Sequence, residues 1–258
     1  MSTKPGSFVW YELMTSDSEA AAAFYRTVTG WEIRDSGMPG HAYSLLYAGG
    51  AMVGGLMTTP PEARAAGVPP CWTGYIGVDD VDACAVRIQA AGGSVLRAAE
   101  DIPGIGRFAV AADPHGAAFI VFKSMEDEPG PELAPDAAGN VGWRELYAGD
   151  GASAFAFYAG LFGWTKAREF DMGALGIYQL FATGGADPVG GMMTRTPDTP
   201  APFWLYYFNV DGIDAAVERI GTAGGSVVMG AHQVPTGQWI AQCADPQGAY
   251  FALLSSTR

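Results

Sequence analysis

The string Trp10-Tyr11-Glu12-Leu13 returns as Trp143-Arg144-Glu145-Leu146, 133 residues further along the chain. The same offset of 133 joins Phe24-Tyr25 to Phe157-Tyr158 and Gly30-Trp31 to Gly163-Trp164. Gly54-Gly55 matches Gly190-Gly191 after a small insertion. From there an offset of 132 joins Trp72 to Trp204, Val78-Asp79 to Val210-Asp211, and Gly92-Gly93-Ser94-Val95 to Gly224-Gly225-Ser226-Val227. Asp113-Pro114-His115-Gly116-Ala117 returns as Asp245-Pro246-Gln247-Gly248-Ala249. A register held over so many blocks makes the chain one module written twice. Its 258 residues divide into a module over 1–125, an acidic, Pro-rich connector over 126–138 and a second module over 139–258.

Composition limits what such a pair of modules does. Hydrophobic residues make up 49 % and charged ones 16 %, which suits a soluble fold with a sizeable core. The net charge of −13 opposes a nucleic-acid surface, which needs clustered Lys and Arg. Cys71, Cys84 and Cys243 are far apart and form no C-x-x-C, which predicts reduced thiols and a cytoplasmic protein. No apolar run is long enough to span a bilayer, so no membrane association is expected.

Each module reads as strand, helix and three strands, twice over. Phe8 to Met14 alternates, with Trp10, Glu12 and Met14 on one face and Val9, Tyr11 and Leu13 on the other. Ser16 with Glu19 predicts a capping box for a helix whose stripe is at positions 20, 24 and 28 and which Gly30 ends. Gly49-Gly50 marks a hairpin turn, and the Pro-rich run from Thr59 to Pro70 leaves room for one helical turn. A second helix is expected from Val81 to Ala91, capped by Asp79 or Asp80, with Val81, Ala85 and Ile88 buried. The second module predicts helices from Ala152 to Leu161 and from Ile213 to Ala223, the latter burying Ile213, Val217 and Ile220.

These features together resemble the vicinal oxygen chelate superfamily, which includes glyoxalase I, bleomycin-resistance proteins and extradiol dioxygenases. Phe-Tyr then Gly-Trp after the first helix, the Val-Asp-Asp-Val-Asp helix start, Gly-Gly-x-Val and the final Asp-Pro-x-Gly-Ala carry the likeness over nearly the whole chain. It is similar to the tandem two-module, glyoxalase-like branch, with resistance and antibiotic-pathway members. The resemblance implies an α+β fold: two tandem modules, each of paired βαβββ units in a curved mixed sheet with a concave ligand face.

It also implies positions for metal ligands, and here the chain departs from the pattern. The first-strand histidine is replaced by Trp10 and Trp143, the second histidine by Thr73 and Leu205, and the glutamate by Ile120 and Ala252. Indole and alkyl side chains do not coordinate a divalent cation, and a lone threonine hydroxyl is a poor ligand. No metal and no other cofactor are therefore expected.

Glu12 and Glu145 remain as candidate catalytic residues. Both should lie on the concave face, where a carboxylate binds a cation, holds a proton or accepts hydrogen bonds from a polar ligand. The plainer alternative is that each pairs with a nearby arginine, such as Arg144, or is solvated at a strand end. Trp10, Tyr75, Phe122, Trp143 and Tyr207 are the candidate ligand-binding residues, since aromatic walls suit a flat hydrophobic ligand. The same rings equally suit a cleft that they fill themselves. Trp72 and Trp204 have the opposite parity and belong to packing. His41, His115 and His232 fall on no ligand position of the family, and each has a plain turn or surface role as its simpler reading.

Three functions compete. The first is a metal-free protein binding a hydrophobic or aromatic small molecule in a cleft between the modules, for sequestration, resistance or service to a pathway enzyme. The second is a glyoxalase-like lyase or isomerase with Glu12 or Glu145 as general base and an unorthodox divalent metal. The third is a scaffold whose cleft is vestigial.

Overall fold

The computed structural model describes residues 4–38, 42–125 and 130–258. The expectations for His41 and for connector residues 126–129 lie outside the described residues. The first repeat runs β1 (Phe8–Thr15), α1 (Ser18–Thr29), β2 (Glu32–Asp35), β3 (Tyr43–Ala48), β4 (Ala51–Thr58), α2 (Pro61–Ala65), β5 (Cys71–Gly77), α3 (Val81–Ala90), β6 (Ser94–Ile102), β7 (Gly106–Ala112) and β8 (Ala118–Ser124). The second runs β9 (Val141–Ala148), α4 (Gly151–Phe162), β10 (Thr165–Asp171), β11 (Ile177–Ala182), β12 (Gly190–Thr194), β13 (Phe203–Asn209), α5 (Ile213–Thr222), β14 (Ser226–Gln233), β15 (Trp239–Ala244) and β16 (Tyr250–Ser255). Their strands form two mixed eight-stranded sheets, ordered β2-β3-β4-β1-β5-β8-β7-β6 and β10-β11-β12-β9-β13-β16-β15-β14. The fold is the α+β, tandem-module architecture expected from the sequence.

Local chemistry sets the helix ends. Asp17, not Ser16, caps α1, its carboxylate accepting from the Ala20 amide at 3.0 Å. The shift follows from reach: an aspartate directly before the first turn satisfies an orphan amide that the serine one residue earlier does not. Asp80 and Asp150 cap α3 and α4 in the same way. Gly30 and Gly163 end α1 and α4 in the left-handed conformation, at φ 76° and 72°. The buried residues of α1 are Ala21, Ala22, Phe24, Tyr25 and Val28, so the expected 24 and 28 are in the stripe and 20 is not. Cys84 replaces Ala85 in the α3 stripe, and Ala216 replaces Val217 in that of α5. In each case the helix turns its stripe slightly from the simple i, i+4 reading.

The chain has two compact units, and each draws on both repeats. One comprises Met1–Trp10, Thr73–Gly130 and Arg144–Trp204; the other comprises Tyr11–Trp72, Pro131–Trp143 and Leu205–Arg258. In the first unit Tyr158 stacks on Trp164 at 5.0 Å, and Trp164 stacks on Phe181 at 4.5 Å. The Trp204 indole donates to the Tyr158 hydroxyl at 3.0 Å, and that hydroxyl reaches Asp113 at 3.5 Å. Arg87 of α3 donates to the carbonyls of Gly160 and Leu161, closing the C-terminal end of α4.

The second unit repeats these devices. Tyr25 packs on Trp31, Trp72 and Phe251 at 5.6, 5.3 and 5.4 Å. The Trp72 indole donates to the Tyr25 hydroxyl at 2.8 Å. Arg219 of α5 donates to the Val28 carbonyl near the end of α1 at 2.9 Å. Such ring pairs each contribute about 0.5–1.5 kcal/mol beyond the area they bury. Trp72 and Trp204 are thus packing residues, as their strand parity implies. The C-terminal half of the connector is tied into the second unit, where Asn209 donates to the carbonyls of Pro135 and Ala137, and just beyond it the Trp31 indole donates to the Gly139 carbonyl at 2.8 Å.

Candidate functional site

Glu12 and Glu145 sit at matching places on different sheets. Parallel pairing of β1 with β4 sets Glu12 opposite Gly55, and pairing of β12 with β9 sets Glu145 opposite Gly191. Each glutamate residue keeps only 7 % of its surface exposed. A carboxylate so covered needs a hydrogen-bond partner, because desolvation without one is costly.

Tyr43 of β3 supplies that partner for Glu12. Its hydroxyl donates to Glu12 Oε2 at 3.0 Å. Since β4 lies between β3 and β1, the phenol has to cross β4 to reach the carboxylate. It crosses at Gly55, where a Cβ would collide with the phenolic oxygen. The glycine is therefore required by the close approach of another side chain. Tyr178 of β11 lies over Gly191 in the same manner, its phenol occupying the space a Cβ would take. The sequence repeat carried Gly55 and Gly191 as a matched pair. It gave no sign of Tyr43 and Tyr178, because the contact is diagonal and spans an intervening strand.

The aromatic candidates divide by unit. In the first unit Trp10 and Tyr75 are buried, and Tyr75 meets Phe122 edge to face at 5.9 Å. Register puts Tyr75 opposite Ile120 and Gly77 opposite Phe122. In the second unit Trp143 is half-buried, and Tyr207, opposite Ala252, accepts from the Gln242 amide at 3.1 Å. Arg144 lies 5.9 Å from the Phe8 ring centre and donates to the Val189 carbonyl. His115 hydrogen-bonds Ser153 Oγ at 2.9 Å on the exposed surface, and His232 contacts the Gly230 carbonyl two residues away. Both are surface roles.

The six positions that hold ligands in metal-using relatives carry Trp10, Thr73, Ile120, Trp143, Leu205 and Ala252. Five of them are buried, Trp143 being the half-buried one. One hydroxyl among these side chains does not fit a divalent cation. Among the described residues no group of three or more His, Cys, Asp or Glu is placed to hold a metal ion. None of the described helices is long and apolar enough to cross a membrane.

The chain belongs to the Glyoxalase/Bleomycin resistance protein/Dioxygenase superfamily, whose sequence profile matches residues 7–121 and 140–253. It is similar to CFP32 of Mycobacterium tuberculosis, 34 % identical over 253 residues that cover 97 % of this chain and 95 % of the relative. It is equally similar to the anthracycline biosynthesis protein DnrV of Streptomyces peucetius, 34 % identical over 264 residues, covering 97 % of this chain and 93 % of DnrV. Among solved structures, the Mn(II)-bound glyoxalase of Novosphingobium aromaticivorans aligns with a TM-score of 0.67 at 17 % identity, covering 100 % of this chain and 83 % of that one. The 2,2',3-trihydroxybiphenyl 1,2-dioxygenase of Sphingomonas wittichii aligns at 0.67 and 13 % identity, covering 98 % and 91 %. At such identities the structural matches concern the fold alone.

Proposed function

We propose that this chain is a metal-free binding protein for a hydrophobic, aromatic small molecule, acting in sequestration, resistance or support of an antibiotic-pathway enzyme. One observation carries the reading: the positions that hold metal ligands in relatives carry rings, alkyl groups and one threonine hydroxyl in this chain, while Glu12 is hydrogen-bonded to the Tyr43 phenol. Rings offer stacking area to a planar ligand, and the carboxylate–phenol pair offers a polar anchor for a hydroxyl or amine on it. The likeness to DnrV, named as an anthracycline biosynthesis protein, supports a polycyclic aromatic ligand. Three thiols outside any disulfide suit a cytoplasmic setting.

Quenching of tryptophan fluorescence by a panel of planar aromatics tests the proposal. Saturable quenching is expected, weakened about tenfold in Tyr43→Phe through loss of a hydrogen bond to a charged group. A panel in which no compound quenches overturns it. The second reading, a glyoxalase-like enzyme, is favoured by the Tyr43–Glu12 contact, which holds a carboxyl group in a fixed orientation, as a general base requires. Stoichiometric zinc, nickel, manganese or iron in the purified protein decides for that reading.

A further inference from the structure

The two glutamates have different neighbours. Strand alternation puts Met14 on the Glu12 face of β1 and Cys71 on the Thr73 face of β5. The corresponding residues of the second repeat are Tyr147, on the Glu145 face of β9, and Phe203, two residues before Leu205 on β13. Tyr147 and Phe203 stack nearly parallel, with ring centres 5.1 Å apart and an interplanar angle of 8°. Cys71, Tyr147 and Phe203 are half-buried. The first repeat thus has two adaptable sulfur-bearing side chains where the second has a finished aromatic stack.

We propose that the two repeats are unequal ligand sites: the Glu12–Tyr43 pair, flanked by Met14 and Cys71, takes the aromatic molecule, whereas the Tyr147–Phe203 stack takes the place of that molecule's ring beside Glu145. This rests on the binding reading above. A ring entering the second site has to separate a pair already stacked, so it loses about what it gains. A ring entering the first site meets thioether and thiol, side chains that adjust to an aromatic edge or face. Each set of residues lies within a single compact unit, so the two sites are separable by substitution.

The test uses the full chain, 1,4-dihydroxyanthraquinone as probe and a colorimetric disulfide reagent for thiols. Calorimetry is expected to give one equivalent bound per chain. The bound probe should slow modification of Cys71 by about tenfold, the other two thiols being buried. Tyr147→Met with Phe203→Cys, which copies the first repeat, should raise the stoichiometry to two. Met14→Tyr with Cys71→Phe, which copies the second, should abolish binding while circular dichroism stays unchanged. If one double variant fails to fold, the other and the Cys71 rate decide. Two equivalents on the unaltered chain, or a Cys71 rate indifferent to bound probe, overturns this inference and leaves the binding reading standing. No binding of any planar aromatic overturns both.

Discussion

The hydroxyl of Tyr25 donates to Asp245 Oδ2 across 3.2 Å, although 220 residues separate them in the chain. It joins the first helix of one repeat to the Asp-Pro-x-Gly turn of the other. Asp245 Oδ1 meanwhile accepts from the amides of Gln247 and Ala249, so the carboxylate also shapes its own turn. Tyr25→Phe strands the Trp72 indole and one Asp245 oxygen in a buried setting. The expected loss is about 1–3 kcal/mol, the cost of an unmet buried polar group, read as a lower urea midpoint.

Asp245 also gives the fold a pH dependence. Burial pushes its carboxyl above the ordinary carboxylate value, outweighing its hydrogen bonds, and pushes the Tyr25 phenol up as well. A raised folded-state value means that the folded chain binds the proton more tightly than the unfolded one. The stability it contributes is complete below about pH 4, the ordinary range, and is lost as pH rises through the elevated value. Asp245→Asn should flatten that region of the stability profile, which urea titrations at a series of pH values measure.

Gly55→Ala should uncouple Tyr43 from Glu12. The added methyl competes with the phenol for one space, so the ring has to swing away. Overpacking of this kind costs about 1–3 kcal/mol. Ligand affinity should fall as far as in Tyr43→Phe, and combining the two changes should weaken binding no further. A double-mutant cycle on affinity reads this non-additivity.

Asn209→Ala should release the C-terminal half of the connector. It removes the donors to Pro135 and Ala137 at 2.8 and 3.2 Å. Limited proteolysis should then cut between residues 131 and 140 faster than in the unaltered chain, with the rest of the fold retained.

Thiol chemistry should separate the three cysteines at neutral to mildly alkaline pH. Burial pushes the Cys243 thiol up to about 12 and raises that of Cys84. Both should stay unreactive until the chain unfolds, since the thiolate is the reactive form. Half-buried Cys71 should react first, so a thiol titration should show one fast equivalent and two more on adding denaturant.

Much of this was legible in the sequence where the physics is local. The offset between repeats exposed the βαβββ order, and Gly30 and Gly163 marked helix ends. The cap of α1 falls one position after the expected Ser16, because Asp17 accepts from the Ala20 amide whereas a Ser16 cap would have to use that of Glu19. The Tyr43–Glu12 contact was out of reach, because it depends on a ring crossing a strand at a residue without a side chain. Asp113 and Asp245 read as turn residues. That each also meets a tyrosine from the other repeat is a long-range fact that no local pattern encodes.

The interleaving of the repeats in the two units has a consequence for half-length chains. Neither copy on its own supplies everything from which one compact unit is made, so a gene for half the chain would need its product to meet another copy before it could fold to this form. Cleaving the connector should for the same reason leave two fragments that co-elute and fall apart only in denaturant. Within one chain the partnership is permanent, and the two copies differ at the matched positions: one carries methionine and cysteine, the other tyrosine and phenylalanine.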